Sequence, residues 1–145
     1  MAIVRWSSMA IPVTVLGAEL LSLANGAVSA PGAAISSDGS FFCDVEFISS
    51  TAFSPTSGAL VDVWMLRSVD GGNSFEDGAA GSLPPREADA TIAVRSGTLI
   101  TPRAGYPEIL LPPGTYRPIA RNRTGVVFPA SGVSVRMATY TQQAD

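Results

Sequence analysis

The chain has 145 residues and a formal net charge of −3, a length that fits one domain with enough interior for a real hydrophobic core. It contains no histidine, its nine basic residues are all arginine, and Cys43 is its one cysteine. The commonest general base and metal ligand, lysine Schiff-base chemistry, an intrachain disulfide and a thiolate metal cluster are therefore all excluded. Only 14% of residues are charged, mean hydropathy is +0.29 and the pI is near 4.8. That balance gives no basis for a general electrostatic nucleic-acid binder, and it predicts that neighbouring protein covers part of the surface.

Residues 1–30 imitate a secretory signal, with Arg5, an apolar stretch and the small-residue ending Val28-Ser29-Ala30. Pro12 and Glu19 interrupt the apolar stretch and Pro31 follows the would-be cleavage site, so the segment reads as part of the fold or as an arm. No run is long and apolar enough to span a bilayer. Residues 3–6 and 11–16 are the first candidate strands. Residues 19–23 make a helical turn that Asn25-Gly26 stops, and 25–39 read as a long connection.

Residues 40–49 alternate strongly: Phe41, Cys43, Val45 and Phe47 share one strand face, Asp44 and Glu46 the other. Residues 59–67 repeat the pattern with Val61, Val63 and Met65 opposite Asp62, Trp64 and Leu66. A strand apolar on both faces lies between two layers or under a subunit interface. A polar, Gly-rich loop follows over 68–88. Further short strands are expected over 91–95, 106–111, 115–121 and 132–140, and Pro118 implies an edge strand or a bulge within the third of these. Strands of this number and length, punctuated by Gly and Pro, predict an all-β domain built as a single β-sandwich, a jelly roll being one arrangement of it, with an extended N-terminal segment. Residues 1–39 form the N-terminal strands or arm and the connection, and 40–145 the sandwich domain.

The chemistry-bearing patterns have plain structural readings. Ser68-Val-Asp70-Gly-Gly72-Asn-Ser-Phe75 fits the Asp-box pattern S-x-D-x-G-x-x-(W/F), which resembles the turns of sialidase-like propellers. A propeller would carry several copies and this chain has one, so a structural hairpin is expected. Asp70, Asn73, Glu76 and Asp77 offer oxygens for Ca²⁺, but the EF-hand spacing fails because Gly72 and Ser74 stand at its third and fifth positions. Asp44 and Glu46 are the polar face of a half-exposed strand before they are a glycosidase pair. Cys43, inside an apolar run, reads as a small core residue. Asn122-Arg123-Thr124 matches a glycosylation sequon. Arg117, Arg121 and Arg123, with Arg103 joining them, form a basic cluster that makes either ionic contact with an acidic neighbouring subunit or a solvated strand face. No catalytic residue, cofactor or metal ligand set emerges.

Three stretches in order carry a resemblance. They are 19–27 (ELLSLANGA), 60–78 (LVDVWMLRSVDGGNSFEDG) and 114–142 (GTYRPIARNRTGVVFPASGVSVRMATYTQ). The chain resembles small virion structural proteins of tailed bacteriophages. In these a SLANGA segment precedes a strand with an S-x-D-G-x-N-x-x-DG turn, and a PPG-x-(Y/F) turn and an N-x-TG-V-x-F-x-ASG hairpin come near the end. Arg123 inside the N-x-TG turn is a departure that leaves the turn logic intact. The resemblance implies a non-enzymatic particle component made in the host cytoplasm. Its expected role is a capsid cement (decoration) protein on the capsid exterior, clustered as a homotrimer over joints between major capsid protein subunits, without nucleic-acid or membrane partners. Trp6, Trp64, Arg103, Arg117, Arg121 and Arg123 are the expected interface residues. A tail or baseplate component is the alternative. A carbohydrate-binding or host-attachment module, with Trp6, Trp64, Tyr106 and Tyr140 as its platforms, is a third.

Overall fold

The computed structural model describes residues 3–37, 39–40, 42–78 and 82–144. Among them are ten strands: β1 Val4–Trp6, β2 Val13–Leu16, β3 Ile35–Ser36, β4 Phe42–Ser49, β5 Leu60–Ser68, β6 Ala90–Ala93, β7 Arg103–Leu110, β8 Thr115–Arg123, β9 Val133–Tyr140 and β10 Gln142–Ala144. A single 3-10 turn covers Ala18–Leu20, where the helical turn is expected.

The pairing follows one rule. β1 lies antiparallel to β10, β2 to β9, β3 to β8, β4 to β7 and β5 to β6. The chain is thus one long antiparallel hairpin with its tip between β5 and β6. Rolling that hairpin up adds the pairs β4–β9 and β5–β8. Two four-stranded sheets result, in the orders β2-β9-β4-β7 and β3-β8-β5-β6. These are the strand orders of a jelly roll, a sandwich of two Greek keys.

Alternation decides which side chains meet between the sheets. Cys43, Val45 and Phe47 of β4 face Val61, Val63 and Met65 of β5, with Val133, Val135 and Met137 of β9 beside them, all 3% exposed or less. Phe41, expected on the same face of β4, lies outside the described residues. Phe128 stands 5.4 Å from Phe47 and 6.1 Å from Phe53, ring centre to ring centre, closing one end of the core.

The N-terminal segment is built into both sheets. β2 is an edge strand of the first sheet and delivers Val15 and Leu16 to the core, and Leu20 follows them. The expected connection over 25–39 contains β3 and runs beside β8, where Ser29 donates its N–H to the Ala120 carbonyl and Gly32 to that of Pro118. Gly32 needs its lack of a side chain, since a Cβ there would collide with the Val15 carbonyl. Pro118 lies in β8, which has neighbours on both sides, where an edge strand or bulge was expected. Its nitrogen is nevertheless harmless to the ladder. The backbone groups of Pro118, Ala120 and Asn122 point to the irregular 26–32 segment rather than to β5.

β5 is apolar on both faces for a reason internal to the chain. Trp64 and Leu66, with Ile119 of β8, form a second cluster on the outer face of the second sheet. Phe75, Leu83 and Ala88 of the long loop and Val28 pack over it.

Candidate interaction surfaces

The long loop is pinned by charge and by its turn. Asp70 accepts bonds from Ser68 Oγ (2.7 Å), Ser74 N (2.8 Å) and Ser74 Oγ (2.5 Å). These bonds, the one from the Ser74 hydroxyl first, hold its carboxyl down at about 2. Phe75 turns inward, and the Arg117 guanidinium lies 4.7 Å above its ring centre. Arg86 reaches Glu76 at 2.6 Å, Asp89 at 2.8 Å and the Met65 carbonyl at 3.1 Å. Asp89 in turn accepts the Met65 N–H, extending the β6 ladder with a side chain. The Asp-box stretch therefore works as a turn in which the Asp70 carboxylate is occupied from within. No group of three or more His, Cys, Asp or Glu side chains placed to hold a metal ion occurs among the described residues.

The six residues expected at an interface fall in three places. Trp64 is 3% exposed beneath the loop and donates its indole N–H to the Arg86 carbonyl. It is covered by its own chain, because Phe75, Leu83, Ala88 and Val28 pack over it. It offers no ring face to a sugar either. Trp6 is 53% exposed and meets Phe42 and Tyr140 edge-on at 5.6 and 5.5 Å.

The arginines divide between the two outer faces. Arg121 and Arg123 of β8 converge on Asp62 of β5, with Arg117 farther along the same strand. Arg103 stands on the other sheet, where it and Arg136 hold Glu46 at 2.8 and 2.7 Å. Those two arginines lower the Glu46 carboxyl pKa against the opposing effect of burial. The cluster expected from sequence is thus two clusters on opposite sheets. Asp44, next to Glu46 on the outer face of β4, takes the Tyr140 hydroxyl at 3.0 Å and the Glu108 N–H at 3.0 Å. The second bond closes a bulge at which Glu108 has φ 57°. Burial, with the Asp44 hydrogen bond second, pushes the Tyr140 phenol up to about 12.

Two sequence signals have no accessible chemistry. Asn122 is fully buried. Its amide donates to the Leu23 and Val126 carbonyls and its oxygen accepts from Thr124, so in the folded chain no glycan reaches it. Cys43 is fully buried, and desolvation pushes its thiol up to about 12.

Trp6, expected at an interface, stands within an exposed apolar N-terminal strip. Ile3, Trp6, Met9, Ile11 and Val13 are 55, 53, 51, 88 and 56% exposed. They lie along an edge held to the body by backbone bonds, Ser7 N–H to Thr141 and Ala10 N–H to Thr139, and by the β1–β10 and β2–β9 ladders. The opposite edge of that sheet, β7, carries Pro107 and the Glu108 bulge, two devices that discourage further pairing. The strip has Pro12 and one charged residue, Arg5. Its candidate strands, over 3–6 and 11–16, were visible in the sequence. That it would sit at an edge with its apolar side outward depended on the roll.

No helix among the described residues is long and apolar enough to cross a membrane. Comparison with protein-family models, with curated proteins and with solved structures finds no match to this chain.

Proposed function

We propose that this chain is a non-enzymatic virion structural protein, a capsid cement protein that stabilises joints between major capsid protein subunits from the capsid exterior, as a homotrimer. The observation that carries the reading is the N-terminal strip, in which large apolar side chains are set outward along a poorly guarded sheet edge. The other apolar outer face, around Trp64, is covered by the chain's own loop, whereas the strip groups five exposed large apolar side chains among the described residues. Exposed apolar side chains grouped in this way mark protein contact. Burying side chains such as Ile11 or Trp6 against a partner is worth about 1.5–3 kcal/mol each before the costs of association. Repeated over the many joints of a capsid, a small surplus per joint resists internal pressure. The resemblance of residues 19–27, 60–78 and 114–142 to tailed-phage virion proteins supports the same reading. So does a chain without histidine or lysine whose one thiol is buried.

The test is re-addition of purified protein to particles that lack it. Trp6→Ser and Ile11→Ser together should leave the melting temperature of the free protein nearly unchanged and lower retention on particles at least tenfold, about 1.4 kcal/mol. Retention equal to that of the unaltered chain contradicts the proposal.

A further inference from the structure

A second feature of the surface points to a specific kind of contact. Asp62 has a side chain only 3% exposed, and two guanidinium groups converge on its Oδ2. Arg121 donates from Nε at 3.1 Å and Nη2 at 2.8 Å, and Arg123 from Nη1 at 3.2 Å. The Thr91 hydroxyl donates to Oδ1 at 3.0 Å. One carboxylate thus takes two guanidinium groups, which leaves part of their donor capacity unused. The guanidiniums are held in place, Arg121 between Asp62 and the Trp64 ring, whose centre is 5.6 Å away. Nη1 of Arg121 and Nε and Nη2 of Arg123 donate to no described residue, and both side chains are part exposed, at 30 and 44%.

These groups line a depression of about 490 Å³ with Leu83 and Ala88 forming its apolar side. Arg86, also on its rim, is already matched by Glu76 and Asp89. Glu87 is the second carboxylate of the lining, beside Asp62, and it is exposed.

We infer that this depression is a binding site for one carboxylate group, the aspartate or glutamate side chain of a partner protein subunit. The inference deepens the cement reading by naming the chemistry of a second contact, and it rests on that reading for the partner. Planar guanidinium edges match a carboxylate in pairs. Arg121 and Arg123 against Asp62 and Glu87 leave no net positive excess, and that balance suits a monoanion better than a doubly charged phosphate. The apolar side accommodates the methylene groups that an acidic side chain brings and an inorganic anion lacks. Asp62 acts as a positioning residue that fixes both arginines before the ligand arrives, so little side-chain freedom is lost on binding.

The experiment is an NMR titration of the full chain, following arginine Nε–Hε resonances at constant ionic strength. The probes are N-acetyl-glutamate amide and, separately, inorganic phosphate. The site predicts saturable shifts at Arg121 and Arg123 with the glutamate probe and none at the exposed Arg95. It predicts weaker binding of phosphate, loss of saturation in Arg123→Gln, and severalfold tighter binding in Glu87→Gln. Arg123 gives Asp62 only one of its three arginine bonds, so that variant should fold, which its melting curve checks. Absence of saturation, or equal shifts at Arg95, overturns the site. Tighter binding of phosphate overturns the carboxylate assignment. Because the titration uses no particles, absence of the protein from virions would sink the cement reading while leaving this result standing.

Discussion

Asp70 has its carboxylate oxygens engaged by Ser68 and Ser74, and its pKa is about 2 in the folded chain against an ordinary value of 3.8. A folded-state pKa depressed in this way contributes stability that is complete above about pH 4 and is lost as pH falls toward 2. The group is solvent-exposed, so the effect is confined to its own turn. Hydrogen exchange at the Ser74 amide should therefore accelerate between pH 4 and pH 2 beyond the intrinsic dependence, while core amides such as that of Val63 hold their protection. Asp70→Asn should remove that acid-induced difference. This much was readable in the Ser-x-Asp-x-Gly spacing, because the bonds are local. The partners of Asp62, Glu46 and Asp44 were not readable. They come from strands that only the roll brings together, and Asp62 lies 59 residues from Arg121. The sequence suggested one basic cluster, yet Asp62 and Glu46 each gather a pair of arginines.

At the level of elements, most strands were visible as alternation, with ends within a few residues of those observed. Two were not. β3 hides in the Ala, Ser and Gly-rich connection, and β10 in the polar tail. Both are placed by backbone pairing, β3 with β8 and β10 with β1. The N-terminal segment carries the main consequence at this scale. Because β2 places Val15 and Leu16 in the core, with Leu20 behind them, removal of residues 1–18 should destabilise the whole sandwich, whereas a loose arm would be lost without cost. Leu16→Ala should lower unfolding stability by roughly 2–5 kcal/mol, measured by urea denaturation. Exposed Val13→Ala should change it by less than about 1 kcal/mol.

Over the whole molecule, the stretches that carry the phage resemblance turn out to hold one another. Gly26 donates its N–H to the Asn122 carbonyl, Asn122 to that of Ala27, and Gly125 to Asn25 Oδ1. Phe128 and Ser22 complete the seam through Leu23 and Pro129. Gly125 has φ 86° and no room for a side chain against Thr56. These motifs therefore specify a fold, and residues chosen for turn geometry say little about a partner's surface. The sandwich class was legible in the sequence because strands and turns are local. The jelly-roll order became definite only with the nested pairing. The strip at residues 3–13 and the Asp62 site belong to the assembled molecule.

The most direct measurement of the central claim is copy number per purified particle of the phage to which the proposal assigns the chain, by quantitative mass spectrometry against the major capsid protein. The cement account predicts a simple ratio implying hundreds of copies, such as one to one. A few to a few dozen copies would move the chain to the tail or baseplate and contradict the capsid assignment, and absence from particles would contradict the virion role altogether.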